Sequence, residues 1–119
     1  MSLLEKLAVS LVRAGLPREA ECIGKPFAFE WRDHLGFEHL AIGRIDGISL
    51  TIDDHEKGTD KEIPFALVCS GIKRRRERAA SPPHIYFARG VWHIYFADLE
   101  PLEQSSQTPV IFDGDLVLL

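Results

Sequence analysis

The chain has 119 residues, 45% hydrophobic and 27% charged, with 14 Lys and Arg against 18 Asp and Glu for a net charge of −4. This is an ordinary soluble composition, long enough to give residues 1–119 a single globular domain with a real core. It excludes a helical membrane span, because no apolar run approaches roughly 18 residues, and a disulfide framework, because Cys22 and Cys69 are the only cysteines.

No basic region followed by an apolar stretch opens the chain, so no signal peptide is expected. The expected setting is the cytoplasm, with both thiols reduced and buried. Charge is uneven. Residues 73–78, Lys-Arg-Arg-Arg-Glu-Arg, carry +4 and the remainder −8. That disfavours nucleic-acid binding through the whole surface and leaves one basic patch on an acidic body.

Ser2-Leu-Leu-Glu5 is a capping-box pattern. Leu4, Leu7, Ala8, Leu11 and Val12 then recur at helical spacing, and Gly15 and Pro17 stop the run. The pattern predicts a helix over 3–14 whose stripe lies on a sheet. Pro17 to Cys22 can add a short helical turn before Gly24.

Phe27, Phe29 and Trp31 alternate with Ala28, Glu30 and Arg32, the mark of a half-buried strand. A turn at 33–36 leads to a second strand over 37–45. Asp46-Gly47 reads as a two-residue hairpin turn into residues 48–53. In that hairpin Ala41, Gly43, Ile45, Ile48, Leu50 and Ile52 face inward, and Arg44, Ser49, Thr51 and Asp53 outward.

Residues 53–62 form a charged loop. Neither Asp53 nor Asp54 starts a calcium-loop register: the closing position falls on Pro64 or Phe65 instead of Glu. Pro64 can open a helix over 64–79 with Phe65, Val68, Ile72 and Ala79 along one face; the alternative is a strand over 63–68 followed by a basic loop. The helix is preferred.

Residues 84–96 are the strongest signal. His84-Ile-Tyr-Phe-Ala returns as His93-Ile-Tyr-Phe-Ala across Arg89-Gly90. β-Branched and aromatic residues at this density predict a hairpin. A two-residue loop opposes Phe87 to Trp92 and Tyr86 to His93. Ile85, Phe87, Trp92, Ile94 and Phe96 then share a core face, and His84, Tyr86, His93 and Tyr95 the other. A three-residue loop suits Gly90 better but turns His93 and Tyr95 inward and Trp92 outward. Positive φ at Arg89 costs about 1 kcal/mol. Leaving Trp92, Ile94 and Phe96 outside forfeits roughly 1.5–3 kcal/mol each. The core therefore selects the two-residue loop. A connector over 98–109 precedes one or two short strands around Asp113-Gly114.

The expected fold is α+β: an N-terminal helix and a second helix near 64–79 packed on a curved antiparallel sheet of hairpins. Element order and acidity are broadly similar to those of small type III secretion chaperones. No motif is shared and their usual closing helix is missing, so the chain is not assigned to them.

No phosphate loop, nucleophile elbow, His-Glu-x-x-His or Cys-x-x-Cys is present. His84 and His93 have no third ligand placed by the sequence, so no metal or other cofactor is expected. Either could act as an acid or base, yet nothing supplies a nucleophile or an oxyanion site. The reading that follows is a non-enzymatic interaction domain, such as a chaperone, inhibitor or immunity-type partner. It would bind another protein through His84, Tyr86, His93 and Tyr95, since Tyr gives contact area and a hydroxyl at low entropic cost. The plain counterpart is a solvated cross-strand His–Tyr ladder. The alternative is nucleic-acid binding by Lys73, Arg74, Arg75, Arg76 and Arg78, and a small enzyme or ligand-binding domain ranks third.

Overall fold

The computed structural model describes residues 2–50, 62–74, 82–96 and 110–119. Their elements are α1 (Leu3–Arg13), α2 (Glu19–Cys22), β1 (Pro26–Arg32), β2 (Glu38–Leu50), β3 (Phe65–Arg74), β4 (His84–Ala88), β5 (Val91–Phe96) and β6 (Val110–Leu118). The six strands form a closed antiparallel barrel in chain order, β6 returning to β1. This overturns the expected open sheet under helices. Each strand has one apolar face, and rolling the sheet lets those faces bury one another while abolishing its edges. Phe27, Phe29, Phe65, Ile45, Ile85, Ile94 and Phe96 fill the interior.

The preferred helix over 64–79 is replaced by β3 across Phe65–Arg74. Phe65 and Leu67 point inward, and exposed Val68, counted above on a helical face, points out. Pairing with β2 on one side and β4 on the other decides the matter, as tertiary context commonly does for short apolar runs. The likeness to secretion chaperones rested on element order and acidity, and the order does not hold in a closed barrel without that second helix.

The Asp46-Gly47 turn is also corrected, because β2 runs straight through it. Against β3, Ile45 pairs with Cys69 and Gly47 with Val68, so Asp46 is an extra residue in a β-bulge. A second shift, between the Ile42–Lys73 and Arg44–Ser70 pairs, puts the extra residue in β3 beside Gly71, whose φ is +62°. Asp113-Gly114 likewise separates no strands. β6 is continuous, pairing with β5 from Val110 to Gly114 and with β1 from Gly114 to Leu118. Bulges and bends of this kind let one strand serve two halves of a barrel.

The β4–β5 hairpin has the two-residue loop, with all five expected pairs from Ala88–Val91 to His84–Tyr95. Arg89 and Gly90 have φ of +54° and +78°, the primed-turn conformation. Ile85, Phe87, Trp92, Ile94 and Phe96 are all buried.

The helix starts as its sequence dictates: Ser2 Oγ accepts the Glu5 amide at 3.2 Å and donates to Glu5 Oε1 at 3.1 Å. Its buried face is Leu7, Ser10 and Leu11, whereas Leu4, Ala8 and Val12 of the expected stripe are exposed. Three contacts dock it. Trp92 Nε1 donates to the Ala14 carbonyl at 3.1 Å, and Arg13 Nε lies 2.9 Å from Glu62 Oε2. Buried Ser10 meets the backbone of Ile63 twice, accepting its N–H at 2.7 Å and donating to its carbonyl at 2.6 Å. Ser10→Ala strands both groups in an apolar setting and should cost about 2 kcal/mol or more. Ser2→Ala, an exposed cap, should cost about 1 kcal/mol. Urea midpoints of the two variants give the comparison.

Candidate partner-binding face

On the outside of the barrel, adjacent strands bring side chains into rows. One row runs Ala66, Tyr86, His93, Asp113 across β3, β4, β5 and β6. The next runs His84, Tyr95, Ile111. The Tyr86 and His93 rings stack at 4.9 Å with 24° between planes, and His84 and Tyr95 lie 5.8 Å apart at 39°. The four residues expected on one face are thus together. Their exposure differs: His84 is exposed, Tyr86 and Tyr95 are half-buried, and His93 is buried.

His93 is covered because its ring is held on three sides. Tyr86 stacks on it, Asp113 Oδ1 lies 2.9 Å from Nδ1, and the Ala88 carbonyl lies 3.3 Å from Nε2. Both nitrogens face acceptors, and a neutral imidazole has one N–H to give. The sequence pattern missed Asp113 and Ile111. Both lie in a segment legible as strand, but nothing local says that β6 flanks β5.

Beyond β6 the face continues into a cleft of about 570 Å³ between β6, the end of β1 and the turn at 33–37. Trp31 and Phe112 form its aromatic part, and the exposed His34 ring packs on Phe112 at 4.8 Å. Four carboxylates line it: Glu30, Glu38, Asp113 and Asp115. Glu38 pairs with Arg32 at 2.8 Å and Asp113 with His93. Glu30 and Asp115 stand directly opposite each other on β1 and β6, with no ion pair among the described residues.

Asp33 organises the adjoining turn. Its Oδ1 accepts the Leu35 and Phe37 amides at 2.9 Å each, and its Oδ2 lies 2.8 Å from Nε2 of His39, which stacks on Trp31. Burial pushes the carboxyl up. The His39 hydrogen bond, the two amides and the His39 charge outweigh that and hold it below the usual carboxylate value. With the folded pKa depressed, Asp33 adds stability above its unfolded pKa of about 3.9, and this is lost as pH falls through the folded value. Urea midpoints between about pH 5 and pH 2 should therefore fall more steeply for the parent than for Asp33→Asn.

The described part of the basic run, Lys73 and Arg74, is on a strand and not a helix. Exposed Lys73 and the Arg74 backbone end β3 and pair with Ile42 and Ala41 of β2, while Arg75, Arg76 and Arg78 lie outside the described residues. β3 pairs with β4 only as far as Leu67, which puts Lys73 about 20 Å farther along the strand. The described residues do not join it to the His–Tyr face. The charged loop at 53–61 and the connector at 98–109 are likewise outside them.

Both cysteines are free, Cys22 buried and Cys69 half-buried. Burial, with Asp46 nearby, pushes the Cys69 thiol up to about 12, so neither site is built as a thiolate nucleophile. Among the described residues no group of three or more His, Cys, Asp or Glu is placed to hold a metal ion, and no helix is long and apolar enough to cross a membrane. Comparison of the chain with protein-family models, curated proteins and solved structures finds no match.

Proposed function

We propose that this barrel is a non-enzymatic protein-interaction domain whose partner docks on the outer face of β4, β5 and β6. The observation that carries the reading is the pair of His–Tyr ring contacts on that face, one stacked and one tilted, flanked by Ile111, which is 43% exposed. Inward residues of the same strands already fill the core, so the outer ring surfaces are not needed to hold the hairpin together. Tyr side chains already held against a neighbouring ring lose little entropy on binding, and hot spots concentrate in such residues. With the His93 ring buried and both its nitrogens facing acceptors of the chain itself, acid–base chemistry is the weaker use of the site.

The partner is to be identified by co-purification and cross-linking from the native cell, then measured with purified proteins. Tyr95→Ala should weaken it by 2 kcal/mol or more, about thirtyfold, with the melting curve nearly unchanged. Unchanged affinity in both Tyr95→Ala and Tyr86→Ala would sink the reading. Nucleic-acid binding by residues 73–78 remains the alternative. It takes first place if duplex binds below about 1 µM at physiological salt with a steep salt dependence and Arg74→Ala/Arg75→Ala/Arg76→Ala abolishes that binding.

A further inference from the structure

We infer that the cleft beside this face receives an arginine or lysine side chain of the partner, carried on a segment whose apolar neighbours rest on Ile111 and Tyr95. The inference builds on the proposed docking face and names the chemistry of its occupant. The two surfaces are continuous, because Asp113 ends the first row of the face, Ile111 ends the second, and both line the cleft.

Charge selects the occupant. Of the four carboxylates, Arg32 neutralises Glu38 and His93 meets Asp113, which leaves Glu30 and Asp115. These two are exposed and directly opposed across the β1–β6 pair. Like charges in that register destabilise a sheet, and a cation set between them turns the repulsion into attraction. Trp31 and Phe112 also line the cleft but are buried, with His39 stacked on Trp31 and His34 packed on Phe112, so the carboxylates carry the attraction. A cleft of about 570 Å³ holds a long side chain with its neighbours, whereas no described carboxylate group has the ligand number that a metal ion needs. A cationic protein segment satisfies the charge and the adjoining apolar face at once.

The arrangement has a signature that a merely structural acidic pair lacks: the carboxylates should help binding and harm folding. Glu30→Gln and Asp115→Asn should each raise the melting temperature by about 1–4 °C. The probes are two synthetic peptides, one alternating Leu and Arg and one alternating Leu and Glu, titrated into the ¹⁵N-labelled full chain at low and at physiological salt. The Arg peptide should shift the amides of Glu30 and of residues 111–115, and the double variant should bind it about tenfold more weakly. The Glu peptide should leave those amides unmoved.

Equal shifts with both peptides, or undiminished Arg-peptide binding by the double variant, would overturn the inference. So would a fall in melting temperature for Glu30→Gln and Asp115→Asn, which would mean that a cation of the chain itself, such as the 73–78 run, already occupies the cleft. Failure here leaves the docking face standing, since that is read on Tyr86 and Tyr95 with the native partner.

Discussion

Gly114→Ala should lose at least about 3 kcal/mol of stability, the top of the range for overpacking, or fail to give a cooperative unfolding transition. Gly114 is the one residue of β6 that pairs with both neighbours, Trp92 of β5 and Trp31 of β1. A Cβ there would lie 2.5 Å from the Glu30 carbonyl oxygen and would meet the ring of Phe29. Phe29 is fully buried, and the carbonyl belongs to the β1 backbone, so neither can step aside. Relief requires moving β1 away from β6, which opens the barrel. Two other strand glycines calibrate the effect. At Gly43 a Cβ meets Ile72 and Phe27 at 3.0 and 3.1 Å, contacts that side chains can partly yield. At Gly47 the nearest atom is Val68 Cβ at 3.8 Å. Urea denaturation should rank the Ala variants Gly114, Gly43, Gly47 in decreasing loss, the last within about 0.5 kcal/mol of the parent. A cooperative Gly114→Ala protein of parental stability would show that the strands do not close where described.

Trp92→Ala should cost about 3–5 kcal/mol. Its ring sits edge-on to Phe29, Phe65 and Phe87, with centroids 6.4, 5.6 and 5.3 Å away. Its Nε1 also holds the last turn of the helix through Ala14, so the variant loses a core aromatic and a helix anchor together. Trp92→Phe separates the two effects, since it keeps most of the ring packing and should lose about 1 kcal/mol for the hydrogen bond. On the other face of the same hairpin, Tyr86→Ala should cost only about 1 kcal/mol. Equal large losses for Trp92→Ala and Tyr86→Ala would mean that the outer face is packing too, and the proposed docking surface would go with it. Denaturant melts of the three variants decide.

The hairpin shows why some of this was legible. Its register followed from an energy comparison available in the residues: mild strain at Arg89 against three large side chains left in water. The misreading at 46–47 has a local cause. A two-residue turn and a one-residue bulge both put residues 45 and 48 on the same side, so the facing pattern of Ile45, Ile48 and Leu50 fits either. Asp-Gly favours both. Only the partner strand decides, and β3 lies against β2 on both sides of Asp46. The helical face proposed over 64–79 had the same weakness, because Ala66 and Val68 are apolar yet point outward and blur the alternation.

The candidate site divides the same way. His84, Tyr86, His93 and Tyr95 could be grouped from local periodicity, since a hairpin carries its own pairing. Asp113, Ile111, Glu30 and Asp115 could not, because the pairings that assemble them join β5 to β6 across the intervening connector and β1 to β6 across most of the chain.

What the sequence determined by itself was local: the capped first helix, the aromatic strand at 27–31, the two-residue turn at Arg89-Gly90 and the division of the hairpin into a core face and an outer face. These follow from periodicity, capping and turn chemistry, which act over a few residues. The tertiary structure decided what depends on partners distant in the chain: that β2 and β6 bend instead of turning, that 65–74 is strand, that the sheet closes on itself, and that opposed carboxylates end beside a His–Tyr face. Closure is the physical reason, because each strand's neighbours are fixed only when all six apolar faces are buried together.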